Sequence, residues 1–436
     1  MPSPRSTAAT GCAAFSSWGD VMGNVTRWIG IGLCLVMLSS PIGAATRSSA
    51  ASGTPPAGGA HRDPGPPGNP SAVLMEVSTG QVLESSEGHR RYPPASLDKL
   101  MTFYLVLQAI KSHHVSLTTD VTVSEAVWRV GRTRGSSRMF LNVGEVVTIE
   151  QLLFGLMVAS GNDAAEALAE VLAGTPEQFV EQMNATASRL GMRDTHFMTA
   201  HGLPTPGEYT SAWDMALLAR EILVQFPDAV AYTSPREETY GGIRQMNWNN
   251  LIFRDSRVDG LKTGFTHESG YHIAATARQG SLRVIAVVMG AHRLQQRTGI
   301  AERLLNEGFS RFMLVEIPWQ RIVPAALTIY GGAARTLGLE TPSVIRVLLP
   351  RDDHAPLTIE EELTTAPLAP FRKGQSVGTL TVRNSSAVLL TSPLVASADV
   401  GRASLLARSW GLLRYRLGSM LGRRPAAWTG TFNPAQ

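Results

Sequence analysis

Pro93-Pro94-Ala95-Ser96-Leu97-Asp98-Lys99-Leu100-Met101-Thr102 opens a run that stays apolar nearly all round as far as Ile110. The two prolines stop the preceding chain, and a helix that is hydrophobic on every side has to be buried, so residues 97–110 are predicted as a central core helix with Ser96 in its first turn. Working outward, residues 72–77 and 81–84 read as strands joined by the turn Ser78-Thr79-Gly80, a β-hairpin ahead of that helix. Behind it the periodicity predicts helices over 148–158 and 164–172, separated by a small-residue break. A second hairpin follows over 273–278 and 282–289 around Gln279-Gly280-Ser281, then a helix over 296–309. Strands at both ends with helices between them give an α+β domain over 71–315, in which one antiparallel sheet can contain both hairpins. From Ile322 the pattern changes to short β-type runs at 325–330, 343–349, 376–382 and 387–390, split by Gly and Pro. A small all-β domain over 316–398 is expected.

Of the 436 residues 44% are apolar and 17% charged, a globular balance, and the length favours two domains with flanking segments. Net charge is +4, but six arginines and no acidic residue follow Gly401, so the body of the chain is mildly acidic. The basic balance therefore does not point to nucleic acid, which would need a positive patch on a domain. Arg27, the apolar run 28–38 and the small residues 39–45 have the three parts of a secretory signal, expected over 1–45 with Met22 as an alternative start. A retained membrane helix is the competing reading, although the run is short for a bilayer. Both cysteines, Cys12 and Cys34, fall inside it, so the mature chain has no disulfide or Cys metal site. Residues 46–70, rich in Ser, Gly, Pro and Ala, are expected to form a flexible linker. At the other end Leu406, Trp410, Leu413, Leu417 and Met420 recur every three or four residues with arginines mainly between them. This is a basic amphipathic helix over 402–424, suited to an anionic membrane surface, with packing on its own domain as the alternative.

The chain has only four lysines, Lys99, Lys111, Lys262 and Lys373, against thirty-five arginines. Lysine can lose its proton when desolvated, whereas guanidinium stays charged, so the positions where lysine persists are candidates for base chemistry. Ser96 and Lys99 stand at i and i+3 at a helix start, close enough for the amine to activate the hydroxyl as a nucleophile, with the positive end of the helix beside a developing oxyanion. Ser160-Gly161-Asn162 occupies the break between two helices, where side chains can enter a cleft; a capping turn is the ordinary alternative. Lys262-Thr263-Gly264 precedes a strand-like segment, with a polar turn as its alternative. Any one triplet is weak. The three in this order form the motif set of penicillin-interacting serine enzymes.

On these residues the chain resembles the low-molecular-mass penicillin-binding proteins, the D-alanyl-D-alanine carboxypeptidases. The likeness extends over residues 90–102, 155–164, 201–203 with 209–212, and 259–264 with Gly270 and Tyr271, and spans about residues 70–395. It implies a serine β-lactamase-like first domain, a β-rich second domain and a C-terminal amphipathic membrane anchor. It further implies that Ser96 attacks the bond between two terminal D-alanines of peptidoglycan stem peptides, with Lys99 as base and Ser160 relaying protons. Asn162 would hold the substrate backbone, Lys262 and Thr263 its carboxylate, and Gly264 would let the strand approach. The backbone N–H groups of Ser96 and Phe265 would form the oxyanion hole. Better-known members often carry His where Phe265 stands, and Trp248 stands where some place Arg. β-Lactams would acylate the same serine. No metal or other cofactor is required. His267 and His272 are spaced five apart around Gly270, which does not fit the zinc motif they superficially suggest. Cleavage of peptide cross-links is a second enzymatic reading, and a catalytically silent wall-binding scaffold a third. A β-lactamase is disfavoured because no equivalent of the class A glutamate is evident after Asn162.

Overall fold

The computed structural model describes residues 69–385, 387–420 and 427–434. The expected signal segment over 1–45 and all but the end of the linker over 46–70 lie outside the described residues. Two antiparallel hairpins do meet in one five-stranded sheet, ordered Val82–Ser86, Ser71–Glu76, Leu282–Ala291, Gly270–Gln279, Val258–Thr266. The strand Ser71–Glu76 is buried along its whole length because both faces of the sheet are covered. Val73 and Met75 enter the core shared with the helix Lys99–Lys111, whereas Ala72 and Leu74 enter the one under Leu304, Leu305 and Phe309 of the helix Leu294–Arg311. The two-residue alternation of a strand thus feeds two hydrophobic layers. Each fully buried Leu, Val or Phe contributes roughly 1.5–3 kcal/mol.

The central helix begins at Lys99, two residues later than the sequence pattern suggests, and a short 3₁₀ turn (Ala95–Asp98) that contains Ser96 precedes it. The helices Ile149–Met157 and Asn162–Ala173 flank the break at Ser160; the first is fixed by a capping box between Thr148 and Gln151. Lys262-Thr263-Gly264 lies in the middle of the strand Val258–Thr266, not in a turn. This strand is an edge of the sheet, and Lys262 pairs with Ala274, whose methyl group belongs to the core of the central helix.

Phe312–Glu316 runs straight out of the helix Leu294–Arg311 and pairs with Arg346–Pro350. Beyond it stands a six-stranded β-sheet with its own core around Trp319, Ile359, Leu380 and Leu394. The fold class is therefore α+β followed by an all-β domain, as the sequence indicated. The amphipathic helix is described over Leu405–Met420 and buries none of its residues; Leu406, Trp410 and Met420 are 87%, 63% and 82% exposed. It touches the β domain through Tyr415 on Tyr330 and through Gly411, where a Cβ would collide with the backbone of Gly331. The chain then returns: Trp428–Phe432 pairs with Leu357–Leu363 as the last strand of the sheet.

Candidate active site

Ser96 and Lys99 meet in space, as their i, i+3 spacing suggested, and Asn162, 63 residues further on, joins them. The Lys99 Nζ donates to Ser96 Oγ at 2.9 Å, to Asn162 Oδ1 at 2.6 Å and to the carbonyl of His201 at 2.6 Å. Asn162 in turn donates through Nδ2 to Ser136 Oγ at 2.7 Å. The turn that presents Ser96 is tight: Ala95 has φ of +51°, and Gly202 packs so closely that a Cβ there would lie 1.9 Å from the Ala95 carbonyl oxygen. Only glycine fits that position. Ser96 opens into a cleft of about 400 Å³ whose walls include Ser137, Asn162, Leu203, Phe265 and His267. A larger cavity of about 850 Å³ beside Lys111 and Arg189 holds none of the motif residues.

Lys99 is fully buried, and burial pushes its ammonium down from 10.5 to about 7, against the opposing pull that Asp98, Asp163 and Glu208 exert when ionised. That change corresponds to roughly 5 kcal/mol of relative destabilisation of the charged form, enough to make free amine available near neutrality. Lys262 is also buried and lies well below its usual range, through burial first and then through the charges of Lys99 and Arg297. It donates to the carbonyl of Thr263 at 3.1 Å. Ser160 is 5% exposed with φ of +59°, and its carbonyl accepts from Ser137 Oγ at 2.7 Å. Among the described residues its hydroxyl makes no hydrogen bond with either lysine. Gly264 lies against the turn: a Cβ there would sit 3.1 Å from the Pro94 carbonyl oxygen. Phe265 is 44% exposed at the rim, its ring tilted against Tyr271 at 4.3 Å and edge-on to His267 at 5.3 Å.

Several residues that no motif marks hold this arrangement. Asp163 Oδ1 accepts from the N–H groups of Met139 and Ala164, and Oδ2 from those of Phe140 and Leu141, so one carboxylate pins the loop that carries Ser136 and Ser137. His272 Nδ1 accepts from the N–H of Gly290, so Nε2 is the protonated nitrogen and donates to the Pro93 carbonyl at 3.0 Å. Its burial keeps the ring neutral down to about 4. That explains the histidine without zinc, and no cluster of metal-ligating groups occurs among the described residues. His201 accepts from the Leu203 N–H through Nδ1, leaving its protonated Nε2 3.9 Å from Glu166. Burial lowers His201 to about 3 and raises Glu166 to about 7, so the contact is not an ion pair. Glu166 is thus a buried carboxyl four residues after Asn162, at a place where the sequence showed no clear counterpart to a deacylating glutamate. Trp248 is 60% exposed and donates through Nε1 to the Ala159 carbonyl, while Asn247 and Asn249 are buried anchors for the surrounding backbone.

The chain matches the family model described as D-alanyl-D-alanine carboxypeptidase over residues 68–293, and that of the penicillin-binding protein 5 C-terminal domain over 322–402. It is 36% identical over 354 residues to the D-alanyl-D-alanine carboxypeptidase DacC of Escherichia coli, covering 80% of this chain and 88% of that protein. Among solved structures it resembles penicillin binding protein 5 from Haemophilus influenzae, with a TM-score of 0.67 and 33% identity over 76% of this chain and 97% of that one. It also resembles penicillin-binding protein D2 from Listeria monocytogenes in its cefotaxime-bound form, with a TM-score of 0.50 and 30% identity over 55% of this chain and 96% of that one.

Proposed function

The chain belongs to the D-alanyl-D-alanine carboxypeptidase family, and from that premise we propose how the residues of its cleft divide the reaction among them. Its activity is that of a serine-type D-alanyl-D-alanine carboxypeptidase with penicillin-binding function, acting on peptidoglycan peptides. Ser96 Oγ attacks the carbonyl carbon between two terminal D-alanines while neutral Lys99 takes the hydroxyl proton. The observation that carries this assignment is the 2.9 Å separation of Lys99 Nζ from Ser96 Oγ at an amine lowered to about 7.

The tetrahedral oxyanion is met by the backbone N–H groups of Ser96 and Phe265, supported by the close packing of Gly264 on the Ser96 turn. As the C–N bond breaks, the departing D-alanine takes a proton that Ser160 relays from the lysine side of the cleft. Water then cleaves the Ser96 ester. Asn162 orients the substrate backbone, and Lys262 and Thr263 bind the terminal carboxylate, with Lys262 held as a cation by that anion. The strand Val258–Thr266 is an edge strand, which suits an extended peptide laid alongside it. A β-lactam acylates the same oxygen and blocks the site.

The place of action is the outer face of a bacterial membrane: the signal pattern over 1–45 directs export, and the exposed apolar residues of the helix Leu405–Met420 rest on the lipid surface. To test the chemistry, purified protein is labelled with a fluorescent penicillin and its adduct located by mass spectrometry, alongside D-alanine release from an acyl-D-alanyl-D-alanine peptide. Both signals are expected to vanish in Ser96→Ala. An adduct elsewhere, or release that survives the substitution, would remove Ser96 from its role.

A further inference from the structure

Two residues after the nucleophile stands a group that the reaction as described does not use. Asp98, the residue between Ser96 and Lys99 that closes their turn, is completely buried, and neither of its oxygens has a hydrogen-bond donor. Its side chain instead meets that of Glu208, itself 6% exposed. Glu208 Oε1 accepts from the N–H groups of Met198 and Thr199 at 2.9 and 3.0 Å and from Thr199 Oγ1 at 3.2 Å, which leaves Oε2 as the acceptor available to Asp98. Two buried carboxylates cannot face each other with no hydrogen between them: like charges at contact in a low-dielectric interior are strongly disfavoured, and so is a buried acceptor without a donor. One proton resolves both problems.

We propose that Asp98 and Glu208 hold a single proton, carried on Asp98 and donated to the Glu208 carboxylate, and that this pair is a positioning and charge-setting device for Lys99. The pinned donors on Oε1 decide which partner is ionised: three hydrogen bonds stabilise a carboxylate on Glu208, and nothing stabilises one on Asp98. Burial and the Glu208 charge both raise Asp98 far above the ordinary carboxylate range, in the same direction as the geometry. The charged and titratable groups that bear on Lys99 are Asp98, Asp163 and Glu208, with Lys262 and His201 sensing it in return. A negative charge on Asp98, adjacent to Lys99 in the chain, would hold the lysine as an ammonium that cannot accept the Ser96 proton. Protonated Asp98 removes that charge from the turn and leaves it on Glu208. These residues touch no substrate; they act through Lys99.

The inference rests on Lys99 being the base for Ser96, and the experiment separates the two. The second-order rate of penicillin acylation is measured from pH 5 to 10 for the wild type, Asp98→Asn and Glu208→Gln. The amide introduced by Asp98→Asn can donate to Glu208 as the acid did, so the acid limb of that variant is expected within about 0.3 pH of wild type. In Glu208→Gln the new amide donates to Asp98, which ionises beside Lys99, and the acid limb is expected to rise by about one pH unit. An acid limb that moves down in Asp98→Asn would mean that Asp98 was ionised all along, and would overturn the proposal. Profiles with no acid limb in any form would instead overturn Lys99 as the base. Infrared spectra at pH 8.5, above the titrations of Glu166 and Glu361 near 7, give a second readout. The wild type should show a protonated-carboxyl C=O stretch that both substitutions remove, and its absence from the wild type would equally overturn the proposal, even if Asp98→Asn fails to fold.

Discussion

Gly264 and Ser96 share a backbone contact: a Cβ built on Gly264 would lie 3.2 Å from the Ser96 nitrogen. The strand that supplies one N–H to the proposed oxyanion hole is therefore seated directly on the turn that supplies the other. Substitution Gly264→Ala has to push strand and turn apart by a few tenths of an ångström. Acylation by a fluorescent penicillin is expected to slow by roughly 10–100-fold with little change in melting temperature. Wild-type rates in the alanine variant would show that the two amides need not be so closely held.

Lys99, as the proposed base, is expected to give the acylation rate its dependence on pH. Its amine is charged below about 7 and neutral above it, so the rate should climb through that value and level off. Because the lysines and their neighbours interact, the midpoint belongs to the cluster as a whole. Lys99→Arg keeps a cation that cannot be deprotonated and is expected to lose about 10²–10⁴-fold in acylation rate. A rising limb centred near 10 would show that burial does not free this amine.

Asp163 stabilises the loop of residues 136–141 from beneath. Removing its carboxylate in Asp163→Ala strands four backbone N–H groups, three of them on that loop, and should cost about 3 kcal/mol in urea unfolding together with most of the acylation activity. Asp163→Asn, with one acceptor oxygen in place of two, should fall between. Full stability in the alanine variant would mean that water replaces the carboxylate freely.

His272 adds a stability dependence of known sign. Its folded value near 4 lies below the ordinary 6.5, so the unfolded chain binds the extra proton. The contribution is complete above pH 6.5 and is lost as pH falls through 4, to a limit of roughly 3 kcal/mol. Glu166, raised to about 7, works the other way: what it contributes below 4.5 is lost as pH rises through 7. Comparing urea midpoints of the wild type and His272→Gln between pH 4 and 7 isolates the histidine. The variant should show the shallower acid decline, and parallel curves would contradict the assignment.

The helix Leu405–Met420 is expected to bind vesicles rich in anionic lipid and to ignore zwitterionic ones. The double substitution Leu406→Asp and Leu413→Asp, on its exposed apolar side, should abolish sedimentation with vesicles while leaving penicillin labelling intact. Deleting the chain after Asp399 is a poorer test, because it also removes the sheet strand Trp428–Phe432. Undiminished sedimentation of the double variant would refute a lipid-facing role.

How much could be read in advance depended on whether a residue acts locally. Ser96 and Lys99 are one helical step apart, so their meeting follows from spacing alone, and the buried central helix follows from an apolar run without a polar face. The two hairpins declared themselves through their turns. Asp163, Glu208, His201 and His272 left no such trace, because Asp163, Glu208 and His272 hold backbone N–H groups of other segments and His201 offers its own carbonyl to Lys99, none of which a local pattern marks. Asp98 was hidden differently: it occupies an open position of Ser-x-x-Lys, and nothing nearby in sequence indicates that its partner is Glu208. The strand Trp428–Phe432 is not legible in the sequence because it pairs across an intervening helix with a strand some seventy residues earlier, in a segment whose composition resembles a tail.

The three acceptors of the Lys99 amine come from its own turn, from a residue 63 positions further on and from one 102 positions further on. A growing chain therefore carries the serine and its lysine long before it has the loops that bury and orient that lysine. If Lys99 is the base, hydrolytic competence is expected only once those distant loops close on the central helix. By the same reasoning, a covalent antibiotic label counts finished molecules rather than polypeptide, so pulse-labelling with a penicillin during synthesis would serve as a clock for maturation.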